Sequence, residues 1–201
     1  KEGEDRLRQA RRLKAMLALE WGILFYGVLI RCVRFLSHPM PLRDCLARYQ
    51  ALTDYSYLEI FQLKHIRDAL VHDPFGILML QKAVISLSGG KETAIQVFPF
   101  ICSILGLFLF WKIKDWFVDK YAGLLALALM AAAPWLIFYS TILNTYPSDV
   151  CMALLLFMLF RRMQRASLTD SPLNLFGLAG AASVWFSLPA VFILSGGGIG
   201  F

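Results

Sequence analysis

The sequence predicts an all-α membrane protein, a polytopic helical bundle of about five spans with further helices along one membrane face. Three observations carry this expectation. Hydrophobic residues make up 58% of the 201 residues and charged residues only 17%, whereas a soluble domain carries more charge. The apolar residues fall in long runs, and Ala122–Phe138 holds no charge at all; such runs dissolve in lipid. The basic residues cluster between runs, as Lys1, Arg6, Arg8, Arg11, Arg12 and Lys14, then Lys112, Lys114 and Lys120, then Arg161, Arg162 and Arg165. That is the inner-flank pattern of the positive-inside rule. A nucleic-acid footprint needs one basic face interleaved with aromatics, so the net charge of +6 implies no nucleic-acid partner.

Taken in order, residues 1–14 form a basic cytoplasmic tail and 15–201 the N-terminal part of one transmembrane module. The first span covers Ala15–Leu36 and has its N-terminus inside. An Arg-rich start before an apolar run resembles a signal peptide, but the run is too long and no small-residue cleavage site follows it. Arg31 and Arg34 near its outer end can snorkel to headgroups, and Glu20 lies within reach of the inner interface. An outer loop follows over about 37–91. Pro39 and Pro41 stop the helix. Leu46, Tyr49 and Leu52, then Leu58 and Phe61, then Ile66 and Leu70, recur at helical spacing and predict amphipathic helices on the membrane.

Phe75–Leu87 is apolar but too short to span, and a crossing there would invert the charge rule. It is expected at the outer interface, with Lys82 and Ser86 forming a polar edge. Four more spans follow: Ile95–Trp111 inward, Ala122–Phe138 outward, Ser148–Phe160 inward, and Leu173–Leu194 outward, cut by Pro189. The chain begins without Met and stops inside a Gly-rich apolar run, and reads as a fragment of a longer protein. Cys32, Cys45, Cys102 and Cys151 show no metal-ligand spacing and read as small buried hydrophobes.

The chemistry is expected at the polar island Tyr139–Asp149, which has no Lys or Arg and surfaces on the outer face. The acids on that face are Asp44, Asp54, Glu59, Asp68, Asp73, Glu92 and Asp149, solvated by default. Asp44 follows the first span. Asp73 precedes Pro74 and Asp149 opens the fourth span, both positions where a carboxylate caps a helix. A carboxylate near the lipid interface can hold a divalent cation against a phosphate or take a proton from a hydroxyl. No phosphate-binding Gly loop, HExxH or CxxC motif occurs, and Gly196–Gly198 reads as helix packing.

Five segments in this order carry a resemblance: Asp73-Pro74-Phe75-Gly76-Ile77-Leu78, Glu92 through Phe98-Pro99-Phe100, Trp135–Ser140, Tyr146–Val150 and Trp185–Phe192. Together they are similar to membrane glycosyltransferases of the C-type fold, in particular bacterial relatives of the dolichyl-phosphate-mannose–protein mannosyltransferases. The resemblance covers nearly all of the chain from Ala15 on. It implies a multi-pass protein of a bacterial inner or plasma membrane, transferring a sugar from a polyprenyl-phosphate carrier to an outer-face acceptor (glycan, lipid or protein). Asp44 matches the first member of an acidic pair that supplies the catalytic carboxylate, and Asp54 is the second candidate. Arg31 and Arg34 are the candidates for the carrier phosphate. Asp73, Tyr139, Tyr146 and Asp149 are the remaining candidates for the donor site. A divalent metal on Asp44 is a candidate cofactor.

Cys45, Gln96, Ile142, Asn144 and Leu188 stand where the family carries Glu, Arg, Glu, Lys and His. An altered donor or acceptor would leave this pattern, and so would an inactive relative serving as a carrier-binding or assembly subunit. A transporter, which places polar groups on broken helices at mid-membrane, ranks last because the spans are almost purely apolar.

Overall fold

The computed structural model describes residues 2–37, 43–62, 73–165 and 170–199, and no strand occurs among them. The helices are α1 (Glu2–Ser37), α2 (Arg43–Asp54), α3 (Tyr57–Gln62), α4 (Phe75–Leu87), α5 (Glu92–Ile113), α6 (Lys120–Ala132), α7 (Pro134–Tyr139), α8 (Tyr146–Arg165), α9 (Asp170–Phe186) and α10 (Ala190–Ile199), with a 3-10 turn at Lys114–Trp116. The stretches 4–37 and 93–116 are long and apolar enough to cross a membrane. Phe75–Leu87, Lys120–Ala132 and Asn174–Phe186 are apolar but shorter.

Residues 2–14 are helical and continuous with the apolar stretch that follows. The Leu, Arg, Ala and Lys residues among them are good helix formers, and α1 runs unbroken from Glu2. The expected third span is two helices. Pro134 has no N–H and pushes the residue before it out of the helical region; Ala133 accordingly sits at ψ 117°, with Pro134 opening α7. The break expected at Pro189 is present between α9 and α10. The short helix α4 has the bounds read from the sequence. It ends in a tight reversal at Gly89 and Gly90, with φ of 65° and 81°, and Gly90 N–H donates to Ile85 O at 3.0 Å, the left-handed helix ending that glycine permits.

Helix α5 packs along α8, with α1 and α6 on one side and α9 and α10 on the other. Helix α4 wedges against α2, α3, α5 and α9. The apolar core has two parts. One joins Leu24, Leu107, Leu127 and Ala131 of α1, α5 and α6. The other joins Leu52, Ile60, Leu78 and Ile95 to Ile142 and Leu143. The island is therefore roofed by α2–α4, and Ser140 and Thr141 are buried where the sequence suggests a surface loop.

Glu20 is buried and accepts from Lys114 Nζ and Trp111 Nε1, both at 2.8 Å. Lys82 and the exposed Ser86 share one polar edge of α4, where the Ser86 hydroxyl donates to Lys82 O at 2.9 Å, and the Lys82 ammonium donates to the Leu52 and Thr53 carbonyls at 2.7 and 3.2 Å, placing a cation at the negative end of α2.

Candidate functional site

Arg31 turns inward instead of snorkelling, and its side chain is 1% exposed. Pro134 explains why. In an unbroken helix the Met130 carbonyl would accept from residue 134 and the Ala131 carbonyl from residue 135. Proline lacks that N–H, and the turn at Ala133 carries the next one away. Arg31 takes their place, with Nη1 donating to Ala131 O at 3.0 Å and Nη2 to Met130 O at 3.2 Å. Nη1 also donates to Gly27 O and Nε to Ser103 Oγ, both at 2.8 Å. Four of the five N–H groups of a guanidinium are thus spent on neutral acceptors. The positive charge itself remains, seated at the negative end of α6.

The same side chain lines a cavity of about 30 Å³ together with Ser103, Leu136, Tyr139, Tyr146 and Pro147. Tyr139 and Tyr146 meet edge-on with ring centroids 4.8 Å apart. Three of the residues singled out from the sequence thus share one cavity. The volume holds one or two waters, not a sugar. Arg34, one turn further out, lies over the Phe138 ring at 4.8 Å, a cation–π contact in place of a headgroup. Its Nε is buried without a hydrogen-bond partner.

Asp73 is not a cap. Pro74 occupies that position, and Asp73 forms a buried ion pair with Arg48. Arg48 also donates from Nη1 to Leu143 O at 2.8 Å. It therefore ties α2 both to the start of α4 and to the island behind Tyr139. Sequence reasoning passed Arg48 over; its one signal was a basic residue in a loop assigned to the outer face. Asp44 lies in the first turn of α2, one helical turn before Arg48, and its side chain is outside the described residues. Asp54 ends α2 and is exposed, so the two candidate acids sit at opposite ends of one helix. Asp68 lies outside the described residues.

Gly76 explains how α4 seats. An added Cβ would stand 2.5 Å from Trp185 O, so the bare backbone lets the start of α4 meet the C-terminal end of α9. Asp149 does not cap α8, which starts three residues earlier. Its carboxylate faces Ser187 and Thr145. Gln96 is buried with both amide atoms unpartnered. Leu188 is half-exposed beside Ser187. Cys102 and Cys151 face each other between α5 and α8 and are buried thiols.

The model of the dolichyl-phosphate-mannose-protein mannosyltransferase family matches residues 72–193, more than half of the chain. The chain belongs to this family. Membership implies glycosyl transfer of the mannosyltransferase type. The matched stretch holds α4 to α9, the island, Tyr139, Tyr146 and Asp149, while α1 and α2, with Arg31, Arg34, Asp44 and Asp54, precede it. No curated protein and no solved structure matches the chain.

Proposed function

We propose that this mannosyltransferase-family protein moves a sugar from a polyprenyl-phosphate-linked donor to an acceptor hydroxyl on the outer face of the membrane. The supporting observation is the convergence of Arg31, Tyr139 and Tyr146 on one cavity beneath the Lys- and Arg-free island. In this reading α1, α5, α6–α7, α8 and α9–α10 are five spans of a C-type fold, with α2–α4 on the outer surface. The cavity is too small for the donor headgroup, which therefore lies above it. Arg34, whose guanidinium is only partly buried, faces the carrier phosphate, and Arg31 adds its charge from below.

The reaction needs a base and an anion stabiliser. Asp44 takes the proton from the acceptor hydroxyl, whose oxygen bonds to the anomeric carbon as the carrier phosphate departs with the bonding pair. The guanidinium stabilises that phosphate. A divalent ion on Asp44, a side chain outside the described residues, is the candidate cofactor of this reading and would supply further positive charge to the departing phosphate.

The test is transfer by the full-length protein in liposomes containing donor. Asp44→Asn should lower the rate by about 100- to 10,000-fold without changing the helical circular dichroism spectrum. Equal transfer by the variant would remove Asp44 from the role and pass it to Asp54. Gln96, standing where the family carries Arg, favours a second reading, carrier binding without transfer. That reading leads if the wild type binds the carrier lipid and transfers from no donor.

A further inference from the structure

The end of the bundle opposite the island carries a second surface. Three segments meet there. Glu20 of α1 is bonded to Trp111 and Lys114, Trp21 lies 5.2 Å from Trp111 between ring centroids, and Arg161 of α8 lies over the Trp116 ring at 5.7 Å. Of the carboxylates at this end Glu20 is buried, while Asp115 and Asp119 are exposed but each has a partner in the protein. Glu20 and Asp115 both accept from the buried Lys114, and Asp119 Oδ1 accepts from the Tyr121 and Ala122 N–H groups at the start of α6. Lys112, Lys120 and Arg162 are exposed, and among the described residues none of them makes an ion pair.

We propose that Lys112, Lys120, Arg161 and Arg162, arranged around Trp116, form a binding surface for anionic phospholipid headgroups. Charge complementarity selects an anion, and clusters of Lys and Arg beside a span attract anionic lipid. The neighbouring side chains select a lipid over a soluble polyanion. Phe117, Val118 and Tyr121 are 63%, 43% and 73% exposed between the cations. Bare apolar and aromatic groups at the level of fixed cations suit the boundary between headgroups and acyl chains. Helix α1 continues outward as a rigid rod and places Lys14 about 9 Å beyond Glu20, extending the basic collar. The proposal rests on α1 and α5 spanning the membrane and is independent of glycosyl transfer.

The test uses the full chain in vesicles of equal phosphatidylglycerol and phosphatidylcholine, with retained lipid counted by native mass spectrometry. The wild type should retain phosphatidylglycerol over phosphatidylcholine at least about ten-fold, and the excess should shrink as salt is raised. Each charge removed should lower the preference roughly five-fold, so the Lys120→Gln, Arg161→Gln, Arg162→Gln triple variant should lose it. Arg161→Lys alone should keep most of it, which separates loss of charge from misfolding, and Lys91→Gln at the opposite end should leave it unchanged. Equal retention of the two lipids by the wild type would overturn the proposal. So would a preference that survives the triple variant, or capture of a single-stranded oligonucleotide in neutral vesicles without any phosphatidylglycerol preference.

Discussion

At the basic end of the bundle, Lys114 reaches Glu20 and Asp115 at 2.8 Å each, and Trp111 completes Glu20. At the island end, Gln96 is equally buried, yet neither amide atom has a partner. Arg34, Gln81 and Thr141 each add an unpartnered buried atom at that end. A buried polar group without a hydrogen bond costs free energy that an apolar residue of similar shape would not. The first end is built for stability. The second keeps polar atoms that stability does not explain, and such departures concentrate at functional sites.

The largest effect that would break this contrast is expected at the basic end. Lys114→Met leaves Glu20 and Asp115 without their cation, and removing one partner of a buried charge network costs about 3–5 kcal/mol. Denaturant unfolding in detergent micelles should show it, and a loss below about 1 kcal/mol would mean that the network is not structural. Gly76→Val comes next. The added carbons meet a backbone oxygen that has little room to yield, and overpacking of this kind costs about 1–3 kcal/mol. Unchanged stability would show that α4 and α9 separate freely.

Gln96→Leu sharpens the comparison because its sign is reversed. Replacing an unpartnered amide should be neutral or stabilising by about 1 kcal/mol, while binding of the carrier lipid weakens. A clear destabilisation would show that the amide is satisfied in the folded protein. The smallest effect belongs to Glu59. The Ser56 N–H donates to its carboxylate at 2.7 Å, and this bond, with the Ser56 hydroxyl and the Lys82 charge, holds the Glu59 pKa below its ordinary value. A lowered carboxylate pKa stabilises the fold above the ordinary value, and that contribution disappears as pH falls through the lowered one. Acidification to below about pH 4 should therefore loosen α3 locally. Tyr57 resonances should report it, with Glu59→Gln showing the loosening at neutral pH.

The legible parts of the fold were those set by local chemistry. The bounds of α4 follow from an apolar run between Pro74 and the Gly89-Gly90 pair, and the α9–α10 break follows from Pro189. The α6–α7 break was hidden because Ala122–Phe138 is uniformly apolar and Pro134 alone marks it. Tyr139 and Tyr146, both within the polar island, are singled out by the resemblance. The inward turn of Arg31 could not be read from the sequence, because it depends on carbonyls that Pro134 frees 100 residues away. The Arg48–Asp73 pair and the Lys82 contacts with α2 are also made between distant segments. A single side chain's pattern does not encode its partner, and short-range cap rules gave Asp73 and Asp149 the wrong neighbours.

The bond between Arg31 and Ala131 also sets an order of events during synthesis. A chain delivered N-terminus first brings Arg31 to the bilayer 100 residues before its acceptor. At about 5–20 residues per second that delay lasts about 5–20 s. During it the carbonyls of Met130 and Ala131 do not yet exist, so the contact that Arg31 makes with them closes only after the proline-broken helix has been made.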